Sequence, residues 1–386
     1  MFNYFDFEDI RPYSAEEFAS AWIRIKDNPT FHAALQYLFS EDERKNIIAD
    51  FPNFNSTRDF QLKIMHRAIR NILSQSSAGL SSGGFENISP NESYTFISNH
   101  RDIFLDSGIL QILLVEHGHD TSEITFGNNL MMNQFLIDIG KVNKMFTVYR
   151  TGNRREIYDN SIRLSNYMRY AITSKKQSTW IAQRNGRTKN GWDETQVGLL
   201  KMLQVSKPDN FEESFAELNI VPVSISYEFE PCDILKVREN YYSLKGNYTK
   251  SADEDVKSIL AGVTENKGRV HLHLGQPLNS VLPQIAKESD SMKALNYFMD
   301  AEISGSYQLF PTNYIAYDLL YSNSKTNSQY TVEQKEYFIH YMHQKLKLVQ
   351  EDERTLQRLF LELYANPVAN SLKFKPTQLN STSEVR

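Results

Sequence analysis

The feature that most constrains this chain is an alternation of two kinds of segment between residues 94 and 280. Short apolar runs rich in β-branched and aromatic residues alternate with longer stretches whose apolar residues recur at helical spacing. The apolar runs predict strands over residues 94–98, 124–126, 145–149, 179–182, 220–227 and 270–274. The longer stretches predict helices, among them residues 103–116, 131–139 and 156–173. Because strands that alternate with helices are typical of α/β folds, we predict a mostly parallel mixed sheet flanked by helices.

Segments of a different kind precede and follow this region. Ser14 and Glu17 have the spacing of a capping box, which predicts a helix start near the N-terminus. The Gly- and Ser-rich residues 77–93 are typical of a linker, and residues 332–363 predict a strong helix. We therefore divide the chain into a helical N-terminal segment, the linker, an α/β domain, a helical C-terminal segment and a flexible tail, over residues 1–76, 77–93, 94–280, 281–375 and 376–386.

The charge balance and the cysteine count exclude several function classes. The chain has 42 lysines and arginines against 47 aspartates and glutamates, a formal net charge of −5, so a strongly basic nucleic-acid-binding protein is excluded. The single cysteine, Cys232, excludes an internal disulfide framework and a multi-cysteine metal cluster. We interpret it as a buried structural residue far from any motif. The histidine pairs near residues 117 and 271 lack further ligands at known spacing, so no metal is predicted.

The N-terminus does not resemble a secretory signal, because it carries acidic residues and no basic segment before an apolar run. The most apolar stretch, residues 103–115, contains Asp106 and Gln111 and is too short to span a bilayer. We therefore expect a cytoplasmic protein that contacts a membrane only with its surface. The candidates for that contact are helical segments outside the α/β region and the aromatic N-terminal residues Phe2, Tyr4, Phe5 and Phe7.

The first candidate for chemistry is a histidine at the carboxyl end of a predicted strand, where open α/β sheets bind their ligands. His100 follows this strand, and Asp102 is a natural N-cap for the helix after it. Asp106 lies about one turn further along, and helical side chains lean toward the N-terminus, so its carboxylate would reach back toward His100. A histidine held by a carboxylate is the arrangement of a general base. The alternative is a histidine at a strand end, a capping aspartate and a surface aspartate.

Two further groups of residues could bind an anion. Arg150 follows a predicted strand and has Arg154 and Arg155 just beyond it, a placement that suits a phosphate. The segment after the strand at 179–182 combines three cations with two glycines that would let the backbone approach a ligand. Its candidate residues are Arg184, Gly186, Arg187 and Lys189. For both groups the alternative is a cationic surface turn.

These blocks, followed by the strand IVPVSISYE at residues 220–228, resemble the glycerolipid acyltransferase superfamily of the glycerol-3-phosphate and 1-acylglycerol-3-phosphate O-acyltransferase type. NHRDIFLD is similar to the family's His-x4-Asp motif, and RNGRTKNG to its Gly-x-Arg-Ser block. HLHLGQPL also resembles the segment that follows the family's Val-Pro strand. His100, Arg150, Arg187 and Pro222 are 50, 37 and 35 residues apart, and it is this order and spacing that make the resemblance specific. It covers residues 94–278, about half the chain.

The resemblance implies transfer of a fatty acyl chain from a thioester, on coenzyme A or acyl-carrier protein, to a hydroxyl of a lysophospholipid or glycerol-phosphate-like acceptor. His100 would remove the hydroxyl proton and Asp106 would orient the imidazole, with Asp102 as the alternative partner. Arg150, Arg187 and Lys189 would hold an anionic head group, with Arg184 and Gly186 as further candidates. No bound cofactor is implied, and the protein would work peripherally on the inner face of the cell membrane.

The chain departs from the family pattern in three places. Five residues, not four, separate His100 from Asp106. Arg184 stands about where the family has a glutamate, and Gln196 where many relatives have a lysine. These departures leave two alternatives open: an acyltransferase for a lyso-aminolipid acceptor, and a non-catalytic relative that binds lipid or acyl-carrier protein.

Overall fold

The computed structural model describes residues 3–131, 133–149, 152–251 and 253–374. Arg150, Phe2, the side chain of Phe5 and the predicted tail at 376–386 therefore lie outside the described residues. Within them the chain folds as an α/β protein around a mostly parallel sheet flanked by helices, which confirms the predicted fold class.

Seven strands in the described part of the chain form one sheet in the order β1-β7-β6-β2-β5-β3-β4. Their bounds are β1 Gly79–Gly83, β2 Thr95–Ser98, β3 Glu123–Gly127, β4 Met145–Val148, β5 Thr179–Ala182, β6 Ile220–Tyr227 and β7 Arg269–Leu274. All neighbours are parallel except β6 and β7. The six predicted strands agree with β2–β7 to within one residue at each end.

The predicted linker over residues 77–93 is wrong, because it contains the edge strand β1, which pairs in parallel with β7. The Ala78 N–H donates to the Gly268 carbonyl at 2.7 Å and begins this pairing. Gly84 has a positive φ of 77°, and a Cβ there would overlap the Leu274 carbonyl oxygen. Glycine here allows the backbones of two neighbouring segments to approach closely, a role that composition does not distinguish from flexibility.

The N-terminal helices are α1 Ala15–Lys26, α2 Pro29–Leu38, α3 Glu41–Asp50, α4 Thr57–Phe60 and α5 His66–Ser76, with a π-helical stretch at Gln61–Met65. The capping box predicted at Ser14 is present: its hydroxyl accepts from the Glu17 N–H, and the Glu17 carboxylate accepts from the Ser14 N–H. Phe7 is buried against the rings of Tyr167 and Tyr170. It is therefore not available for the membrane contact expected of the aromatic N-terminus.

The helices of the sheet region are α6 Leu105–Glu116, α7 Gln134–Val142, α8 Arg154–Thr173, α9 Val197–Gln204, α10 Phe211–Ala216, α11 Asp233–Leu244 and α12 Glu254–Thr264. Helix α7 begins three residues later than predicted because Asn133 caps it, accepting from the Leu136 N–H at 3.0 Å. Alternate residues of β2 enter opposite cores: Phe96 packs in the core of α5 and α6, and Ile97 in the core of α8, α9 and α10. Burial on both faces explains the continuous apolar character of this strand.

The C-terminal helices are α13 Leu282–Ile285, α14 Ser291–Gly305, α15 Pro311–Leu320, α16 Val332–Leu346 and α17 Glu353–Lys373. The single helix predicted over residues 332–363 is wrong. The Asp352 carboxylate caps a new helix by accepting from the Thr355 N–H at 2.9 Å, which separates α16 from α17. Helix α17 then packs on α15 and α11.

Candidate active site

The site is built on the histidine loop, residues 99–106, which joins β2 to α6. Asn99 is fully buried, and its side-chain amide exchanges two hydrogen bonds with the backbone of Ile225 on β6, at 2.8 and 3.0 Å. This contact continues the sheet beyond the last residue of β2. It places His100 at the carboxyl end of a central strand, where the sequence predicts a ligand.

His100 and Asp106 come together in this loop. His100 Nδ1 lies 2.9 Å from Asp106 Oδ2, and the aspartate is buried while 14% of the histidine side chain remains exposed. The same Oδ2 accepts the backbone N–H groups of Arg101 at 2.6 Å and Asp102 at 2.9 Å. The extra residue of the motif is absorbed before Leu105, where α6 begins, so Asp106 lies in the first turn and reaches back to the histidine.

Asp102, the alternative partner predicted for His100, caps α6 instead. Its Oδ1 accepts the N–H groups of Phe104 at 2.8 Å and Leu105 at 2.7 Å, so it caps α6. Its Oδ2 is buried without a hydrogen-bond partner and lies against Gly262 of α12. Burial and the neighbouring charge of Asp106 raise the pKa of Asp102.

A buried ionic network that the sequence analysis missed lies behind the histidine loop. Arg101 forms ion pairs with Asp193 and Glu230, and Lys236 donates to Glu230 and to the Arg101 carbonyl, both at 2.6 Å. Isolated buried charges are costly, and here each has a partner of opposite sign. The Arg101 N–H also donates to Asp106, so the network fixes the backbone on which the His–Asp contact depends. No local pattern signals these partners, because they come from three separate segments.

The basic loop, residues 183–196, lies directly beside the histidine loop. The Gln183 N–H donates to the Ser98 carbonyl at 2.7 Å, and the Thr188 N–H to the His100 carbonyl at 2.9 Å. Arg187 is therefore adjacent to the histidine backbone. It is almost completely buried; one guanidinium nitrogen donates to Ser258 Oγ at 3.0 Å, and Nη1 has no hydrogen-bond partner among the described residues.

The other predicted anion-binding residues are arranged less favourably. Lys189 forms an ion pair with Glu239 of α11, and burial lowers the pKa of the lysine. Arg184 donates to the Trp192 carbonyl at 3.3 Å. Gly186 has a positive φ of 72° with open space where a Cβ would be, as a backbone exposed to a ligand requires. The structure thus brings Arg187 to the histidine loop, where its charge partly offsets the burial that raises the pKa of Asp102, whereas Lys189 is paired with Glu239.

Cys232 lies close to the site, so the expectation that it is far from any motif is wrong; in sequence it follows the IVPVSISYE block by only four residues. Its buried thiol donates to the Ser258 carbonyl at 3.0 Å, and Ser258 is the residue that binds Arg187. Burial, reinforced by the charge of Asp102, raises the pKa of Cys232 to about 11. A thiol that stays protonated is a poor nucleophile, so Cys232 is not a candidate nucleophile at this site.

A narrow apolar cavity begins at Phe104, two residues before Asp106. Its volume is about 30 Å³, and α6 lines one side with Gly108 and Ile112. The N-terminal segment lines the other side with Met65 and Ile69. The cavity thus lies between α6 and the N-terminal helical segment, and its volume is close to that of one water molecule.

Within the described ranges, no helix combines the length and apolarity that crossing a bilayer requires. In the same residues no cluster of three or more histidine, cysteine, aspartate or glutamate side chains is arranged to hold a metal ion.

No protein-family model matches the chain. No curated protein matches it either. Among solved structures, the 1-acyl-sn-glycerophosphate acyltransferase PlsC from Thermotoga maritima is similar with a TM-score of 0.35 and 13% sequence identity. The match covers 75% of this chain and 92% of the PlsC chain. A likeness of this size does not identify a family.

Proposed function

We propose that this chain is an O-acyltransferase that moves a fatty acyl chain from a thioester to a hydroxyl of a lysophospholipid or glycerol-phosphate-like acceptor. The observation that carries the proposal is the contact between His100 Nδ1 and Asp106 Oδ2 at the carboxyl end of a central strand. A protein that only binds lipid or acyl-carrier protein needs no buried carboxylate behind a partly exposed histidine. The contact therefore favours an enzyme over the binding alternative.

The reaction follows from the two ring nitrogens. Asp106 holds the proton on Nδ1, so Nε2 has its lone pair free to accept the proton of the acceptor hydroxyl. The hydroxyl oxygen attacks the thioester carbonyl and forms a tetrahedral intermediate. Its collapse breaks the carbon–sulfur bond, and the imidazolium returns the proton to the leaving thiolate. The products are an ester and a free thiol, and general-base catalysis of this kind contributes about 10²–10⁴-fold.

Arg187 is the best-placed residue for the anionic part of the acceptor. Its unpartnered Nη1 is buried next to the histidine loop, and an anionic oxygen would satisfy it. Arg184, Gly186 and Lys189 contribute from the same loop, Lys189 after exchanging its contact with Glu239. Arg150 is assigned to the head group from its motif alone.

The acyl chain is proposed to enter the cavity at Phe104. About 30 Å³ is the space of a single water molecule, so the side chains of α5 and α6 must separate to admit it. The donor is acyl-coenzyme A or acyl-carrier protein, and no bound cofactor takes part. Because the product and the lysophospholipid acceptor are lipids, we place the reaction on the inner face of the cell membrane, with the protein bound peripherally.

The test is thiol release from acyl-coenzyme A and acyl-carrier protein with a panel of acceptors, including glycerol phosphate, lysophospholipids and a lyso-aminolipid. Wild type is compared with His100→Ala and with the control His340→Ala, which alters an exposed histidine of α16. We expect acceptor-dependent release that falls by about 10³-fold in His100→Ala and is unchanged in His340→Ala. Activity that survives in His100→Ala would overturn the mechanism. No release with any acceptor would overturn the proposed function.

A further inference from the structure

The second oxygen of the Asp106 carboxylate has its own dedicated partner. While Oδ2 faces His100 and two backbone N–H groups, Oδ1 accepts the phenolic O–H of Tyr227 at 2.9 Å. Tyr227 is the last residue of β6 and is fully buried. It belongs to the IVPVSISYE strand, in which no side chain has a role predicted from the sequence.

Tyr227 is suited to act only as a donor. Burial and the charge of Asp106 hold the pKa of Tyr227 well above its usual value, so the phenol keeps its proton. A carboxylate can rotate about its terminal bond, and a donor fixed on a β-strand removes that freedom. With both oxygens occupied, Oδ2 remains directed at Nδ1 of His100.

We infer that Tyr227 is a positioning residue, which acts on the reaction through Asp106 and His100 without touching the substrate. The inference rests on the proposed function and extends it to a third side chain. The phenol has two effects: it fixes the orientation of the carboxylate, and it withdraws part of the negative charge that Asp106 presents to the imidazole. Removing the hydroxyl therefore disorders the general base and also leaves more negative charge facing the ring.

The competing explanation is that Tyr227 is an ordinary core residue, whose buried hydroxyl requires a hydrogen-bond acceptor but has no effect on the reaction. The chain offers a matched control in Tyr167 of α8, which is equally buried and donates to the buried Glu123 at 2.5 Å. Glu123 is the first residue of β3 and lies at the amino ends of the parallel strands, whereas His100 lies at their carboxyl ends. Tyr167→Phe and Tyr227→Phe thus each remove one buried phenol–carboxylate hydrogen bond, and only the second lies at the proposed site.

For the test, both variants are first compared with wild type by thermal unfolding, and then kcat and KM for the acceptor are measured across pH. We expect Tyr227→Phe to lower kcat by about tenfold with KM within twofold, and to move the acid limb of the pH–rate profile to higher pH. Tyr167→Phe should leave kcat and the profile unchanged. In an Asp106→Asn background, Tyr227→Phe should cause no further loss, because the residue it acts through is gone.

An activity-independent measurement follows the His100 ring resonances by NMR, assigned by their absence in His100→Ala. In Tyr227→Phe the ring should titrate at higher pH than in wild type, and in Tyr167→Phe at the same pH. Equal kcat in the two phenylalanine variants with unshifted titration would overturn the inference. If wild type releases no thiol, the proposed function fails, and the NMR titration still decides whether Tyr227 acts on His100.

Discussion

The histidine loop and the basic loop differ sharply from the arginine loop, residues 149–155, although all three follow strands of one sheet and carry motif-like residues. In the first two, Asn99, Arg101 and Arg187 are buried and bonded to other segments. In the described part of the arginine loop the side chains are exposed, and Arg155 makes only a 3.9 Å contact with Asp159. Resemblance to a family thus extends over two physically different kinds of region.

The difference indicates a division of labour in the proposed reaction: the buried loops would position the reacting groups, and the exposed arginines would attract a charged ligand. Proton transfer requires atoms held within a few tenths of an ångström, and buried networks supply that precision. Attraction of a charged ligand tolerates mobile, solvated side chains, although each then contributes little. We therefore expect the reaction to be sensitive to changes in the histidine and basic loops and tolerant of changes at exposed arginines. The four predictions that follow test this division, starting with the largest effect.

The largest effect is expected at the two carboxylates of the histidine loop. Asp106→Asn should lower kcat by about 10³-fold, because a neutral amide no longer stabilises the positive charge that develops on the imidazole. Asp102→Asn keeps the oxygen that caps α6 and should lower kcat by less than about tenfold. Steady-state kinetics on both variants checks this, with folding verified by circular dichroism. Equal losses would mean that Asp102 takes part in proton transfer and that the loop is used differently from the way we propose.

The next effect concerns the anchoring of the basic loop, for which two glycines form a matched pair. Gly186 and Gly191 have nearly equal positive φ values of 72° and 75°. A Cβ on Gly186 meets open space, whereas one on Gly191 would overlap the Leu363 carbonyl oxygen of α17. Gly191→Ala should therefore lower the free energy of unfolding by about 3 kcal/mol, and Gly186→Ala by about 1 kcal/mol, in urea titrations. Similar losses for both would show that α17 does not anchor this loop.

A smaller effect concerns Asp300 of α14, which binds the basic loop by accepting the Thr195 N–H at 2.6 Å. Burial raises the pKa of Asp300 from 3.8 to about 6. Between these values the folded state binds the proton and the unfolded state does not, so stability from this group decreases as pH rises from about 4 to 6. The free energy of unfolding of wild type minus that of Asp300→Asn should be about 2 kcal/mol larger at pH 4.5 than at pH 7. A difference independent of pH would contradict the burial of this carboxyl.

The smallest effect is expected for the exposed arginines of the arginine loop, with the buried Arg187 of the basic loop as the comparison. Alanine at both Arg154 and Arg155 should change kcat and acceptor KM by less than about twofold, since exposed charges contribute little. Arg187→Met should raise the KM for an anionic acceptor by about tenfold, because it removes a buried guanidinium. The KM values of the two variants are compared on one acceptor. A larger KM for the double alanine variant than for Arg187→Met would contradict the expected difference between the two kinds of loop.

Local features of the fold were predictable from the sequence. The period of apolar residues located β2–β7 to within one residue, and the lean of helical side chains selected Asp106 over Asp102 as the partner of His100. The two wrong predictions, the linker and the single C-terminal helix, share a different cause. Strand β1 is Gly- and Ser-rich and is defined by its pairing with β7, and the gap between α16 and α17 depends on one capping aspartate in a continuous apolar pattern.

What the sequence by itself determined is the order of strands and helices, and with it the edge of the sheet at which His100 emerges. These depend on residues within about one helical turn or a few strand positions of each other. Only the tertiary structure decided which charges and hydroxyls meet. Arg101 pairs with Glu230 across 129 residues, and Tyr227 reaches Asp106 across 121. Such pairs follow from sheet order and helix packing, because short-range hydrogen bonds and ion pairs depend on proximity in space and leave no periodic pattern in the chain.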